Sequence, residues 1–215
     1  MNEKQIIKKI YPLYSSKFKD LNCFQQLISQ LENKHNEYIK RYFLIANLKL
    51  IDSKILKSKH PVIANLLCYI AVETLCNYLA YFRKTKGIKY TDFLENYEIE
   101  RKIKKSKEFQ NFLNKYCPSS YKNMIKFQKR INNCPTRSTF VDVLQYLYQR
   151  NRCIIVHKGL FRNIEENTTS IDTFIDRNKR KCQVSISIPG NCLTEWFYMV
   201  VRESFVQFLL KKNNG

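Results

Sequence analysis

Apolar residues recur every three or four positions along most of this 215-residue chain. A period near 3.6 that persists over many turns admits few folds other than packed helices. In FQQLISQLENKHNEYIKRYFLIANLKLIDSKIL, the spacing is kept by Phe24, Leu27, Leu31, Tyr38, Tyr42, Ile45 and Leu48. The stretch reads as one long amphipathic helix, with a break allowed at Asn33–Asn36. Punctuation is scarce: the whole chain holds 4 Gly and 5 Pro, so helices should run long. SKHP (Ser58–Pro61) predicts a turn, because Pro61 suits a first helical turn, where its missing N–H costs nothing. The helix that follows is the most apolar in the chain, and Gly87 is its predicted C-cap.

Residues 88–139 are basic and less regular. They read as two or three short helices, broken at Cys117–Ser120 and Asn132–Ser138. TFVDVLQYLYQRNRCIIVHKG then predicts a third long helix, with Ser138 or Thr139 as N-cap and Gly159 as terminator. Beyond it the period changes. In KCQVSISIPG, Cys182, Val184, Ile186 and Ile188 alternate with polar residues, as in a half-buried strand. IDTFID (171–176) is its expected partner across a turn at Arg177–Arg180, and LTEWFYMVVRESFVQFLLKK closes the chain as an amphipathic helix. The expected fold class is mostly α: an antiparallel helical bundle with a small β-hairpin before the last helix. Residues 1–215 read as a single domain, with the strand-like insertion around 171–190.

Charge narrows the class of partner. Lys and Arg number 38 against 18 Asp and Glu, a net charge of +20. Such an excess favours a polyanion, either nucleic acid or an anionic surface. Genomic drift toward Lys, Asn and Ile is the competing source of the same excess. Val62–Phe82 is long enough to cross a bilayer, but Glu73 near its middle would be expensive there. Glu73 and Asn77, four residues apart, share a helix face, so the segment reads as the buried central helix of a bundle, and no membrane partner is expected. The eight cysteines show no C-x-x-C pair, and MNEKQIIKKIYPLY lacks an apolar core of signal-peptide length. The expectation is a cytoplasmic protein with reduced thiols.

The chemistry concentrates in LYQRNRCIIVHKGLF (147–161). At about 100° per residue, Leu144, Leu147, Tyr148, Asn151, Ile154 and Ile155 form the core stripe. Arg150, Cys153 and His157 form a second stripe beside it, and Arg152 with Val156 flanks it on the other side. A His in the last turn of a helix is favoured as imidazolium and titrates near neutral pH. Beside arginines in a basic protein it makes a candidate phosphate site. The plainer reading is that His157 caps carbonyls and that Arg150 and Arg152 are solvated.

RCIIVHKG resembles the signature of the HEPN (higher eukaryotes and prokaryotes nucleotide-binding) superfamily: an Arg, four to six residues, then His, often followed by Gly and preceded by an aromatic such as Tyr148. Arg152 and His157 match the four-residue form. Arg150-Asn151 matches the frequent Arg-Asn opening with six residues between. The surrounding layout is also similar, with an apolar second helix carrying an internal Glu (CYIAVETLCNYL), the motif late on a third long helix, and a closing amphipathic helix. Cys153 stands where a polar residue is more usual, so the polarising neighbour is either missing or supplied by Asn151. No Tyr follows two residues after His157, where Gly159 stands, so the resemblance is not to the paired toxins with a His-x-Tyr ending.

The resemblance implies metal-independent RNA cleavage in a toxin, defence or RNA-processing role, at a homodimer interface where two motifs face each other, with an antitoxin or effector complex as further partner. Arg152, His157, Arg150 and Asn151 are the catalytic candidates it carries over. A ribose 2′-hydroxyl attacking its phosphate needs a proton acceptor, a proton donor and a cation for the developing charge. One such His per chain suggests that two copies supply acid and base. The RNA-binding candidates are Arg101, Lys102, Lys104, Lys105 and Lys107 of the run ERKIKKSKEF, together with Lys158. Carboxylates in YEIERK and DTFIDRNK are too scattered for two-metal chemistry, and Gly-rich phosphate loops are lacking, so neither metal nor cofactor is expected. The non-enzymatic alternative is an RNA-binding or assembly module of the same fold.

Overall fold

The computed structural model of the chain describes residues 2–32, 37–84, 105–149, 172–175, 180–187 and 193–213. Helix α1 (Glu3–Ile10) opens with a capping box, in which the Asn2 side chain accepts from Gln5 N and the Gln5 side chain accepts from Asn2 N, both at 2.9 Å. These two bonds satisfy donors that a helix start leaves orphaned. A tight turn at Tyr11–Leu13 follows. The Asp20 side chain then caps α2 (Leu21–Ser29) by accepting from Cys23 N. Next come α3 (Glu37–Leu56) and α4 (Pro61–Lys84).

Two helices therefore occupy the stretch, with α3 beginning directly after the break allowed at Asn33–Asn36. Phe24 and Ile28 of α2 and Ile39, Phe43 and Leu50 of α3 are all buried. Because the spacing runs through both helices, period alone cannot reveal the separation. The turn before Pro61 is as expected, with Pro61 opening α4. Gly87 lies outside the described residues.

α3 and α4 run antiparallel. Near their connection Ser53 Oγ donates to the Ala64 carbonyl at 2.9 Å, and at the far end the Tyr42 and Tyr78 rings stack at 4.3 Å. The last helix, α8 (Leu193–Asn213), is also antiparallel to α3: Phe43 meets Phe205 and Phe208, while Lys57 pairs with Glu195. α5 (Lys105–Tyr116) runs alongside α8 through Phe109–Phe197, Phe112–Phe205 and Tyr116–Phe208. The mostly helical bundle expected from the sequence is present. Its core is aromatic, and each ring moved from water into it contributes about 1.5–3 kcal/mol.

The sheet is larger than expected. After the short α6 (Ser119–Asn123), residues Lys126–Ile131 form strand β1 and Cys134–Thr136 form β2. The expectation of short helices throughout residues 88–139 fails here. Asn132 (φ 50) and Asn133 (φ 64) take left-handed conformations between the two strands, the geometry of a two-residue hairpin turn that Asn tolerates. The hairpin expected before the last helix is present as β3 (Asp172–Ile175) antiparallel to β4 (Lys181–Ser187). It does not stand alone. β4 also pairs with β1, from Lys126↔Ser187 to Arg130↔Gln183, giving one four-stranded sheet in the order β2-β1-β4-β3.

One face of this sheet packs on α7 (Phe140–Leu147), whose N-cap is Thr139, one of the two residues the sequence offers. Phe127 meets Tyr146 at 5.8 Å, and Cys182 and Val184 are buried. Lys129 occupies an inward register position and is buried as well. It is held by an ion pair to Asp142 at 3.2 Å.

Candidate functional site

Tyr148 follows α7 and keeps helical angles (φ −61, ψ −47). Its side chain is only 6% exposed. The ring lies edge-on to Tyr69 of α4 at 6.2 Å and tilted against Phe109 of α5 at 5.1 Å. Tyr69 and Phe109 both meet Phe197 of α8. Four helices thus converge on one aromatic cluster, with Tyr148 as α7's contribution.

Inside the cluster, the Tyr148 hydroxyl donates to Oε1 of Glu73 at 2.6 Å. Glu73 is 8% exposed, on an otherwise apolar stretch of α4. A carboxylate in such surroundings is retained only with donors to satisfy it, and a phenol buried by its ring needs an acceptor. The bond meets part of both needs. The α4 segment Pro61–Phe82 is long and apolar enough to cross a membrane by length and composition. Here it lies against α3, α5 and α8, with the Glu73 carboxylate bonded inside.

The residues singled out for chemistry begin just beyond this anchor. Arg150, Asn151, Arg152, His157 and Lys158 lie outside the described residues, as do Arg101, Lys102 and Lys104. Lys105 and Lys107 are exposed on α5, the helix whose Phe109 packs on Tyr148. His35 is also outside the described residues. His60 stands exposed in the turn before α4, with its carbonyl accepting from Ala64 N. Among the described residues no group of three or more His, Cys, Asp or Glu is placed to hold a metal ion.

A second polar cluster stands between α8 and the N-terminal turns. Glu203 is buried and pairs with Lys17 at 3.1 Å and Arg202 at 2.5 Å. Nearby, the Tyr14 hydroxyl donates to Asn47 Oδ1. Burial, reinforced by Tyr198 and Glu203 and opposed by Arg202, pushes the Tyr14 phenol well above its ordinary range. These groups tie residues 11–18 to the bundle and are satisfied by one another, so the cluster reads as structural.

Sequence reasoning singled out Glu73 as a family-like feature but did not foresee its bond to Tyr148. The available signal was a lone carboxylate on an apolar helix, which demands a donor from elsewhere in the fold. No family model, curated protein or solved structure matches this chain.

Proposed function

We propose that the chain is a metal-independent endoribonuclease resembling the HEPN superfamily, with Arg152 and His157 as the reacting pair and Arg150 and Asn151 beside them. The observation that carries this reading is the buried Tyr148–Glu73 bond. It ties the residue that introduces the motif to the internal carboxylate of the apolar helix, two of the features on which the resemblance rests. The residue that introduces the motif is thus fixed in the aromatic core.

In the proposed reaction the 2′-hydroxyl of a ribose attacks the adjacent phosphorus while its proton passes to a neutral His157. The 5′-oxygen leaves with a proton from the protonated His157 of a second copy, and a 2′,3′-cyclic phosphate remains. The Arg152 guanidinium carries the charge that grows on the phosphate oxygens. Assembly as a homodimer supplies both histidine states.

Purified protein incubated with total RNA in EDTA should cut it and leave cyclic phosphate ends, and His157→Ala should abolish cutting with the circular dichroism spectrum unchanged. Activity that vanishes with chelator and returns with magnesium would refute the mechanism. So would a monomer fully active at nanomolar concentration. The second reading, an RNA-binding module without catalysis, draws support from the exposed lysines of α5.

A further inference from the structure

Among the described residues, the face of the sheet turned away from α7 carries charge of one sign. Lys126, Gln128 and Arg130 of β1 are exposed, as are Lys181, Gln183 and Ser187 of β4, with Ser185 half-buried. The register joins them into one surface: Lys126↔Ser187, Gln128↔Ser185 and Arg130↔Gln183. Lys181, two residues before Gln183, extends the row past Arg130 on the neighbouring strand. At about 3.4 Å per residue the cations from Lys126 to Arg130 span about 14 Å, with β4 about 4.8 Å to the side. None of these residues is acidic. Lys126, Arg130 and Lys181 form no ion pair among the described residues.

Lysines on sheets usually guard unpaired edges. That explanation fails here, because β1 and β4 are the two central strands of the order β2-β1-β4-β3. A face that is merely solvated is ordinarily built with both signs interspersed, and like charges on neighbouring strands repel. Cations without carboxylates, separated by amide and hydroxyl groups, form the donor set that meets phosphate oxygens.

We propose that this outer sheet face binds the sugar–phosphate backbone of a single-stranded nucleic acid, through residues that belong neither to the motif nor to the lysine run of α5. The aromatic residue of β1, Phe127, packs toward Tyr146 on the opposite side. No ring is therefore offered for base stacking from the outward positions of β1 and β4. Binding at this face follows phosphate spacing, without base preference and without distinguishing RNA from DNA.

The test uses a short single-stranded oligothymidylate, which lacks the 2′-hydroxyl and cannot be cut by the proposed chemistry, so the result stands whether or not the protein cleaves RNA. Affinity is measured by fluorescence anisotropy across a salt series for the wild type, for Lys126→Gln/Arg130→Gln/Lys181→Gln, and for Lys4→Gln/Lys8→Gln/Lys9→Gln. The last set removes equal charge from exposed positions of α1. The sheet variant should lose about 2 units of log–log salt slope, about 0.7 for each phosphate it no longer neutralises, and each single substitution about a third of that. The α1 variant should keep the wild-type slope. Equal losses from both sets would show diffuse attraction to a cationic protein and overturn the proposal. It also fails if the wild type binds no oligonucleotide, or if the sheet variant loses affinity only for an acidic polypeptide such as polyglutamate.

Discussion

Tyr148 gives its phenolic hydrogen to Oε1 of Glu73 at 2.6 Å, joining residues 75 positions apart inside the aromatic core. The bond makes the start of the candidate motif part of the bundle's packing, and it is open to a direct test. Tyr148→Phe keeps the ring contacts with Tyr69 and Phe109 and removes one donor from a buried carboxylate. Unfolding in urea should show a loss of about 1–3 kcal/mol, and the proposed RNA cleavage should slow. Glu73→Gln retains an acceptor oxygen and should cost less stability. An unchanged denaturation midpoint for Tyr148→Phe would mean that Glu73 does not depend on this hydroxyl.

The Lys129–Asp142 pair fastens the sheet to α7 and carries a pH signature. Burial works to raise the Asp142 carboxyl, but hydrogen bonds from the Thr139 backbone and side chain and from Lys129 outweigh it and hold the group below the usual carboxylate range. A carboxyl depressed in the folded state stabilises the fold above its ordinary value, 3.8. That contribution is lost as pH falls from there through the folded value. Asp142→Asn should therefore lower stability at neutral pH, by about 1–3 kcal/mol for the buried ammonium that loses its ionic partner on α7, and the gap to wild type should shrink toward acid pH. Thermal melts at neutral pH and in the acid range check both parts.

The thiols separate by burial. Burial pushes Cys68 up to about 12 against the lowering hydrogen bond from Ser53, and does the same to Cys117 against Lys122 and Ser204. Cys134 is exposed beside the β1–β2 turn. Because only thiolate attacks, brief iodoacetamide treatment of the folded protein near pH 8 should label Cys134 and spare Cys68 and Cys117. Peptide mass spectrometry reads the sites, and labelling of all three at similar rates would mean that the core opens.

Local signals made part of the fold legible. Pro61 marked the start of α4, Thr139 capped α7, and alternating Cys182, Val184 and Ile186 announced β4. β1 escaped because its inward position 129 is a lysine, so a period of two is visible only at Phe127 and Ile131. Asp142, contributed by another element, makes that lysine acceptable inside, and a tertiary partner cannot be read from local pattern. The Asn132-Asn133 pair was the available clue, a two-residue turn that tolerates positive φ. α1 had a comparable clue in the Asn2–Gln5 capping box. At the candidate site, the carboxylate on α4 was visible in the sequence, but its partner on α7 emerges only when both helices meet the aromatic cluster.

Catalysis and binding should come apart under mutation. Lys105 and Lys107 are exposed on α5, and with Lys102 and Lys104 they form a run suited to phosphate neutralisation. Replacing Lys102, Lys104 and Lys105 by Ala should weaken RNA binding and flatten its salt dependence by about 0.7 units of log–log slope for each single-strand phosphate no longer neutralised. Cleavage at saturating RNA should survive. Arg152→Ala should behave oppositely. Its guanidinium interacts most strongly once charge has built up on the phosphate, so the variant should bind nearly as wild type and turn over far more slowly. Single-turnover rates at saturating protein separate the two, because they exclude affinity from the comparison. If Arg152→Ala and the lysine variant both lose affinity alone, and wild type cuts no RNA offered, catalysis falls and the binding reading takes its place. The Tyr148–Glu73 bond would then serve to brace a binding surface, a role that needs no reacting group beyond it.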